Sequence, residues 1–140
     1  MIIGIVGSEE AKFTPLGKER AKEKIWDIVK AERTLEVWSG GCHLGGIDIW
    51  AKEITLEVGK PFKEFLPKNL TWSGGYKERN LQIAKADIVY CITVDKLPED
   101  FHGMKFEFCY HCGTKDHVKS GGCWTMKKSS CGILSVIRNF

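Results

Sequence analysis

Short apolar runs alternate with stretches of helical spacing along most of this chain, and that alternation leaves few folds open to it. Residues 2–6, 35–38, 62–66, 87–94 and 133–137 read as strands. The run at 87–94 is apolar almost throughout, the pattern of a strand buried on both faces. Pro15–Lys30 and Ile47–Val58 carry apolar residues at helical intervals among charged ones. Thr14-Pro15 suits an N-cap and first helical position, and Gly59 suits a helix stop. Residues 76–86 and 125–130 read as further helices. Strands separated by helices require crossovers, so the expected fold is α/β. The expectation is one domain over residues 1–140, with a Rossmann-like, mostly parallel sheet flanked by helices.

Bulk properties narrow the function classes. Hydrophobic residues make up 43% of the chain, enough for a core without covalent staples. The net charge of +3 is too small to indicate a nucleic-acid partner. The Lys-Glu mixture at 18–24 reads as a solvated helix face. No apolar run approaches the length needed to span a membrane, and the first residues lack the pattern of a secretory signal. The expectation is a soluble cytoplasmic chain with no membrane partner. In that reducing compartment six cysteines point to metal binding or buried thiols rather than disulfides.

Small polar residues close the apolar runs. Gly7-Ser8 follows the first, Ser39-Gly40-Gly41-Cys42 follows the second, and Ser120-Gly121-Gly122 precedes the last helix. Such turns present backbone amides and a helix N-terminus, both suited to a phosphate. In an open parallel sheet, ligands bind beyond the carboxyl ends of the strands. These residues, with Gly46, Asp48 and Thr125 nearby, are therefore expected to line one anion cradle. Arg79 can grip a phosphate bidentately, and Asn80 can hydrogen-bond a sugar or base. Asp48 holds a ribose hydroxyl or caps the second helix. Cys42 reads as a nucleophile or as a small helix-start residue. Trp26, Trp38 and Trp50 fall on apolar faces, whereas Trp72 and Trp124 flank glycine turns and are placed to stack on a base. Neither a G-x-G-x-x-G fingerprint nor a P-loop is present.

In this order the motifs resemble the SLOG superfamily, which includes the Rossmann-like domain of the DNA-processing protein A group and the LOG-type phosphoribohydrolases. The resemblance rests on Gly7-Ser8, on Ser39-Gly40-Gly41 followed by Gly45-Gly46-Ile47-Asp48, on Arg79-Asn80 through Ala86-Asp87, and on Ser120-Gly121-Gly122 with Thr125. It spans nearly the whole chain. It implies a Rossmann-like domain binding a nucleotide or nucleotide derivative, with the glycine turns and Arg79-Asn80 in the pocket. LOG-type enzymes carry Pro-Gly-Gly-x-Gly-Thr-x-x-Glu, whereas this chain has Ser120 for the proline and Lys128 for the glutamate. Binding or sensing is thus expected ahead of hydrolysis. A nucleotide-processing hydrolase is the alternative, with Glu9, Glu10 or Asp48 supplying the carboxylate. A single-stranded nucleic-acid accessory module is a further one, and Rossmann-like relatives often pair as homodimers.

Cys109-x2-Cys112-x4-His117-x5-Cys123 is close to zinc-knuckle spacing. Cys109, Cys112 and His117 are expected ligands of a structural zinc in a loop insertion near 105–123. By spacing the fourth is Cys123; His111 and His102 are the alternatives. Buried thiols beside a surface histidine, or a redox dithiol, are the competing readings of the same residues.

Overall fold

A computed structural model describes residues 1–140. Five strands, β1 (Ile2–Gly7), β2 (Glu36–Gly40), β3 (Phe62–Phe65), β4 (Ile88–Val94) and β5 (Gly132–Ile137), form one sheet in the order β3-β2-β1-β4-β5. Every neighbouring pair is parallel. The four helices are α1 (Pro15–Lys30), α2 (Ile47–Val58), α3 (Lys77–Ile83) and α4 (Gly121–Lys128). From β1 the chain steps outward through α1 and α2 to β3. It then returns across the sheet to lay β4 on the other side of β1. The strand order reverses at β1, and the carboxyl ends of β1 and β4 diverge there into a crevice.

Side-chain alternation assigns the two faces. Ile3 and Ile5 of β1 share one face with Tyr90 and Ile92 of β4, under Ala21, Ile25, Val29, Trp50 and Ile54 of α1 and α2. Val6, Val89 and Cys91 take the opposite face, under Ile83, Cys123 and Met126. Every residue of β4 is buried, because helices cover both sides. Ile25 and Ile92 are fully buried, and truncating either to Ala would cost about 2–5 kcal/mol.

Thr14 caps α1, its hydroxyl accepting from the Gly17 amide at 3.0 Å with Pro15 in the first turn. Asn139 completes this corner. It is buried, accepts from the Thr14 amide at 3.0 Å and donates to the carbonyls of Lys12 and Lys96 at 2.8 and 2.7 Å. It thereby ties the chain end to the short 3-10 turn Glu10–Lys12.

Several element boundaries differ from the sequence reading. β2 runs on through Ser39 and Gly40, which pair with Glu64 and Phe65 of β3, so these two residues belong to the sheet and not to a closing turn. The third helix begins with a π-turn, Trp72–Tyr76, whose Thr71 hydroxyl accepts from the Gly74 amide. The last helix starts at Gly121, four residues before the expected start, because Ser120 acts as its N-cap and accepts from the Gly122 amide at 3.1 Å. Trp50 is a core residue as expected, while Trp26 and Trp38 pack against the core only in part.

Candidate functional site

The crevice between the ends of β1 and β4 encloses about 300 Å³. Of the residues expected at an anion cradle, Gly7, Ser8, Cys42, Asp48, Arg79, Asn80, Ser120, Gly121, Gly122 and Thr125 line it. They come from the ends of β1 and β2, the starts of α2 and α4, and α3. α4 approaches very closely: a Cβ on Gly122 would lie 2.9 Å from the Gly7 amide nitrogen and 3.1 Å from Cys91 Sγ. Glycine at 122 allows the first turn of α4 to reach the rim.

Ser39, Gly40, Gly41 and Gly46 do not line the crevice. The Ser39 hydroxyl donates to the Ile5 carbonyl at 2.5 Å inside the sheet, since β2 continues past it. Gly46 is the N-cap of α2, with φ at 92°. Gly40 acts from beneath: a Cβ there would lie 2.5 Å from Arg79 Nη1 and 2.9 Å from Asp48 Oδ2. The bare backbone lets those two side chains converge over it. The Ser8 hydroxyl is also held internally, 2.7 Å from Thr93 Oγ1, which donates to the Val118 carbonyl at 2.8 Å.

Charge is divided across the crevice. Lys12, on the turn tied down by Asn139, lines one side and donates to the Lys119 carbonyl at 3.0 Å. Burial pulls its ammonium below the ordinary lysine range. Nothing local singled out this lysine in a Lys-rich sequence. Arg79 lies opposite, its Nε donating to Asn80 Oδ1 at 2.7 Å and its Nη1 to the Phe65 carbonyl at 3.3 Å. Asp48 is 8% exposed, and its Oδ1 has no hydrogen-bond partner. Burial raises its carboxyl to about 7, against the opposing pull of Arg79 and the nearby Ser39 hydroxyl and Cys42 amide. Glu9 also lines the crevice, whereas Glu10 faces a separate surface hollow. Burial raises the Cys42 thiol, which weakens its reading as a nucleophile. Trp72 and Tyr76 of the π-turn form an aromatic wall. Trp124 meets Trp72 edge-on, with centroids 4.7 Å apart, and does not line the crevice itself.

The second constellation adjoins the first. Ligand atoms of Cys109, Cys112, His117 and Cys123 all lie within 4.8 Å of one another, a group that can hold a metal ion. The first three come from the β4–α4 connection, and Cys123 comes from the first turn of α4. His111 and His102 are not in the group: His111 instead packs on Tyr110 with centroids 4.4 Å apart, and His102 borders the separate surface hollow. The C-x-x-C turn is closed by the Gly113 amide donating to the Cys109 carbonyl at 2.7 Å, and Cys109 pairs with Thr114. His117 Nδ1 lies 2.7 Å from Asp116 Oδ1, leaving Nε2 toward Cys123 Sγ at 3.8 Å. A carboxylate behind a histidine is the usual way to orient a metal-binding imidazole.

Cys91, on β4, lies directly behind this group, 3.7 Å from Cys123 Sγ. Its thiol hydrogen bond draws Cys123 toward the thiolate, while burial and the Cys123 charge push Cys112 upward. Several thiols packed this closely cannot all ionise without a cation among them.

Comparison with protein-family models, with curated proteins and with solved structures gives no match.

Proposed function

We propose that this chain is a sensor or carrier that binds a nucleotide or nucleotide-derived ligand in the β1–β4 crevice, with a structural zinc ion behind it. The observation carrying this reading is the convergence of Gly7-Ser8, the N-terminus of α4, Lys12 and Arg79 on one small cavity at the reversal point of a parallel sheet. That site combines a helix terminus with two cations, the surroundings a phosphate requires. Trp72 and Tyr76 supply a surface for a base. The ordered SLOG-like motifs are consistent with it, although Ser39, Gly40, Gly41 and Gly46 support the crevice without lining it.

Zinc fits the donor set on chemical grounds. Three thiols and an imidazole are the donors of a closed structural site, and a tetrahedron with Zn–S near 2.3 Å has edges of about 3.8 Å. Cys109, Cys112, His117 and Cys123 would hold the ion, which would pin the β4–α4 connection to α4. Elemental analysis of purified protein should return about one zinc per chain.

Thermal-shift measurements against mono-, di- and cyclic nucleotides test the ligand reading. A ligand at 100 times its Kd stabilises the fold by about 2.7 kcal/mol. If no nucleotide moves the melting temperature, the reading fails.

One observation favours the hydrolase alternative: a carboxyl poised near neutrality, Asp48, faces the cavity. Incubation with nucleoside monophosphates, followed by chromatography for free base or free phosphate, decides between carrier and catalyst. Intact substrate removes the catalyst.

A further inference from the structure

Asp48 presents an unusual combination. It is buried, it lines the crevice, and its Oδ1 is the one buried side-chain oxygen or nitrogen without a hydrogen-bond partner. An orphaned buried acceptor of this kind is costly, by roughly 1–3 kcal/mol or more when charged. It stands where something else is to supply a donor.

The surroundings indicate what kind of donor. Asp48 Oδ2 and Arg79 Nη1 crowd the same point above Gly40. Yet Arg79 forms no ion pair with Asp48; its guanidinium is engaged by Asn80 and the Phe65 carbonyl. Opposite charges held close but out of contact leave room for a small group between them. An anionic group on the ligand would be repelled by Asp48, and an ammonium would be repelled by Arg79. A hydroxyl satisfies both, because its oxygen accepts from the guanidinium and its hydrogen is donated to the carboxyl. Phosphate belongs at the other end of the crevice, where Lys12 and the first turn of α4 lie.

We infer that Asp48 and Arg79 form a hydroxyl-binding subsite that receives the ribose hydroxyls of the ligand, so that the crevice selects ribonucleotides over their 2′-deoxy counterparts. This rests on the nucleotide reading above and specifies its sugar. A carboxylate accepts from both hydroxyls of a vicinal diol, whereas a 2′-deoxy sugar returns Asp48 Oδ1 to its unpartnered state. Selectivity built on a buried polar group left unpaired is steep.

The test is calorimetric titration of the full, zinc-loaded chain with 5′-ribonucleoside monophosphates and their 2′-deoxy equivalents. Ribose 5-phosphate and 2-deoxyribose 5-phosphate serve as base-free probes. The expected result is a preference for the ribo form of about tenfold or more, the size of one charge-assisted hydrogen bond. The preference should shrink in Asp48→Ala while zinc content stays at the wild-type level. Equal affinity of wild-type protein for ribo and deoxy forms overturns the subsite and leaves the nucleotide reading standing. A ribose 5-phosphate preference with no binding of any nucleotide supports the subsite and overturns the nucleotide reading. No binding of any probe overturns both. The comparison on wild-type protein needs no variant to fold.

Discussion

Gly122 and Cys123, neighbours in the first turn of α4, face two different sites. A Cβ at Gly122 would lie 2.9 Å from the Gly7 amide nitrogen at the crevice, whereas Cys123 Sγ lies 3.8 Å from His117 Nε2 in the metal group. One helical turn therefore carries both an anion-facing edge and a metal ligand. A second connection runs from Ser8 through Thr93 to the Val118 carbonyl, one residue beyond His117. Metal and crevice share the element that positions them.

This sharing predicts thermodynamic linkage. Stripping the metal with a chelator should weaken nucleotide binding by about 5- to 100-fold, and bound nucleotide should tighten the metal by the same factor. Titrating the best-shifting nucleotide into loaded and stripped protein checks the first half. Competition with a zinc indicator, with and without nucleotide, checks the second. Equal affinities in both states would mean that α4 keeps its place without the ion.

Ligand variants separate the histidines. His117→Ala and Cys109→Ser should lose the metal and lower the melting temperature by roughly 10 °C or more, because metal binding and local folding are coupled. His111→Ala and His102→Ala should retain a full equivalent, since neither belongs to the Cys3His group. Metal content and melting temperature of the four variants are the readouts.

Asp48 should impart a pH dependence of known sign. Burial raises its folded-state carboxyl from 3.8 to about 7. A raised value means that its favourable contribution is present in full below pH 3.8 and is lost as pH climbs through about 7. Asp48→Asn should therefore gain on wild-type protein as pH rises from about 4 to 8. At pH 8 it should melt several degrees higher, as a kcal/mol or so would produce. Calorimetric scans of both proteins across that range give the difference, in which metal effects common to the two cancel.

Gly40→Ala tests the floor of the crevice. Its methyl would lie 2.5 Å from Arg79 Nη1 and 2.9 Å from Asp48 Oδ2, so the guanidinium end must swing away. Nucleotide affinity should fall about tenfold or more, as when one charge-assisted contact is lost. The melting temperature should change by only a few degrees, because the displaced atoms end a flexible side chain. A variant that binds as well as wild type would remove Arg79 from the ligand's contacts.

The sheet was readable before any coordinates because its signals are local. The unbroken apolar run of β4, the helical spacing of α1 and α2, and the punctuation at Thr14 and Gly59 each lie within a few residues. The C-x-x-C pair is likewise local, since one tight turn brings its two sulfurs together. Period and spacing state which element forms and which residue types it offers.

What those offers converge on was decided by strand order. Ser39 looked like a turn residue, but pairing with β3 extends β2 through it and turns its hydroxyl onto Ile5. Cys123, His111 and His102 were alternatives for one ligand position, and the packing of α4 on β1 and β4 brought Cys123 in. Lys12, Cys91 and Asn139 carried no local signal; Cys91 and Asn139 reach their partners across 32 and more than 40 residues of chain. The alternation along the sequence determined a parallel α/β sheet and a thiol-rich loop. Only the tertiary structure decided that the loop, α4 and the Asp48–Arg79 pair meet at one rim, because contacts between distant segments follow from how strands are ordered and not from the residues beside them.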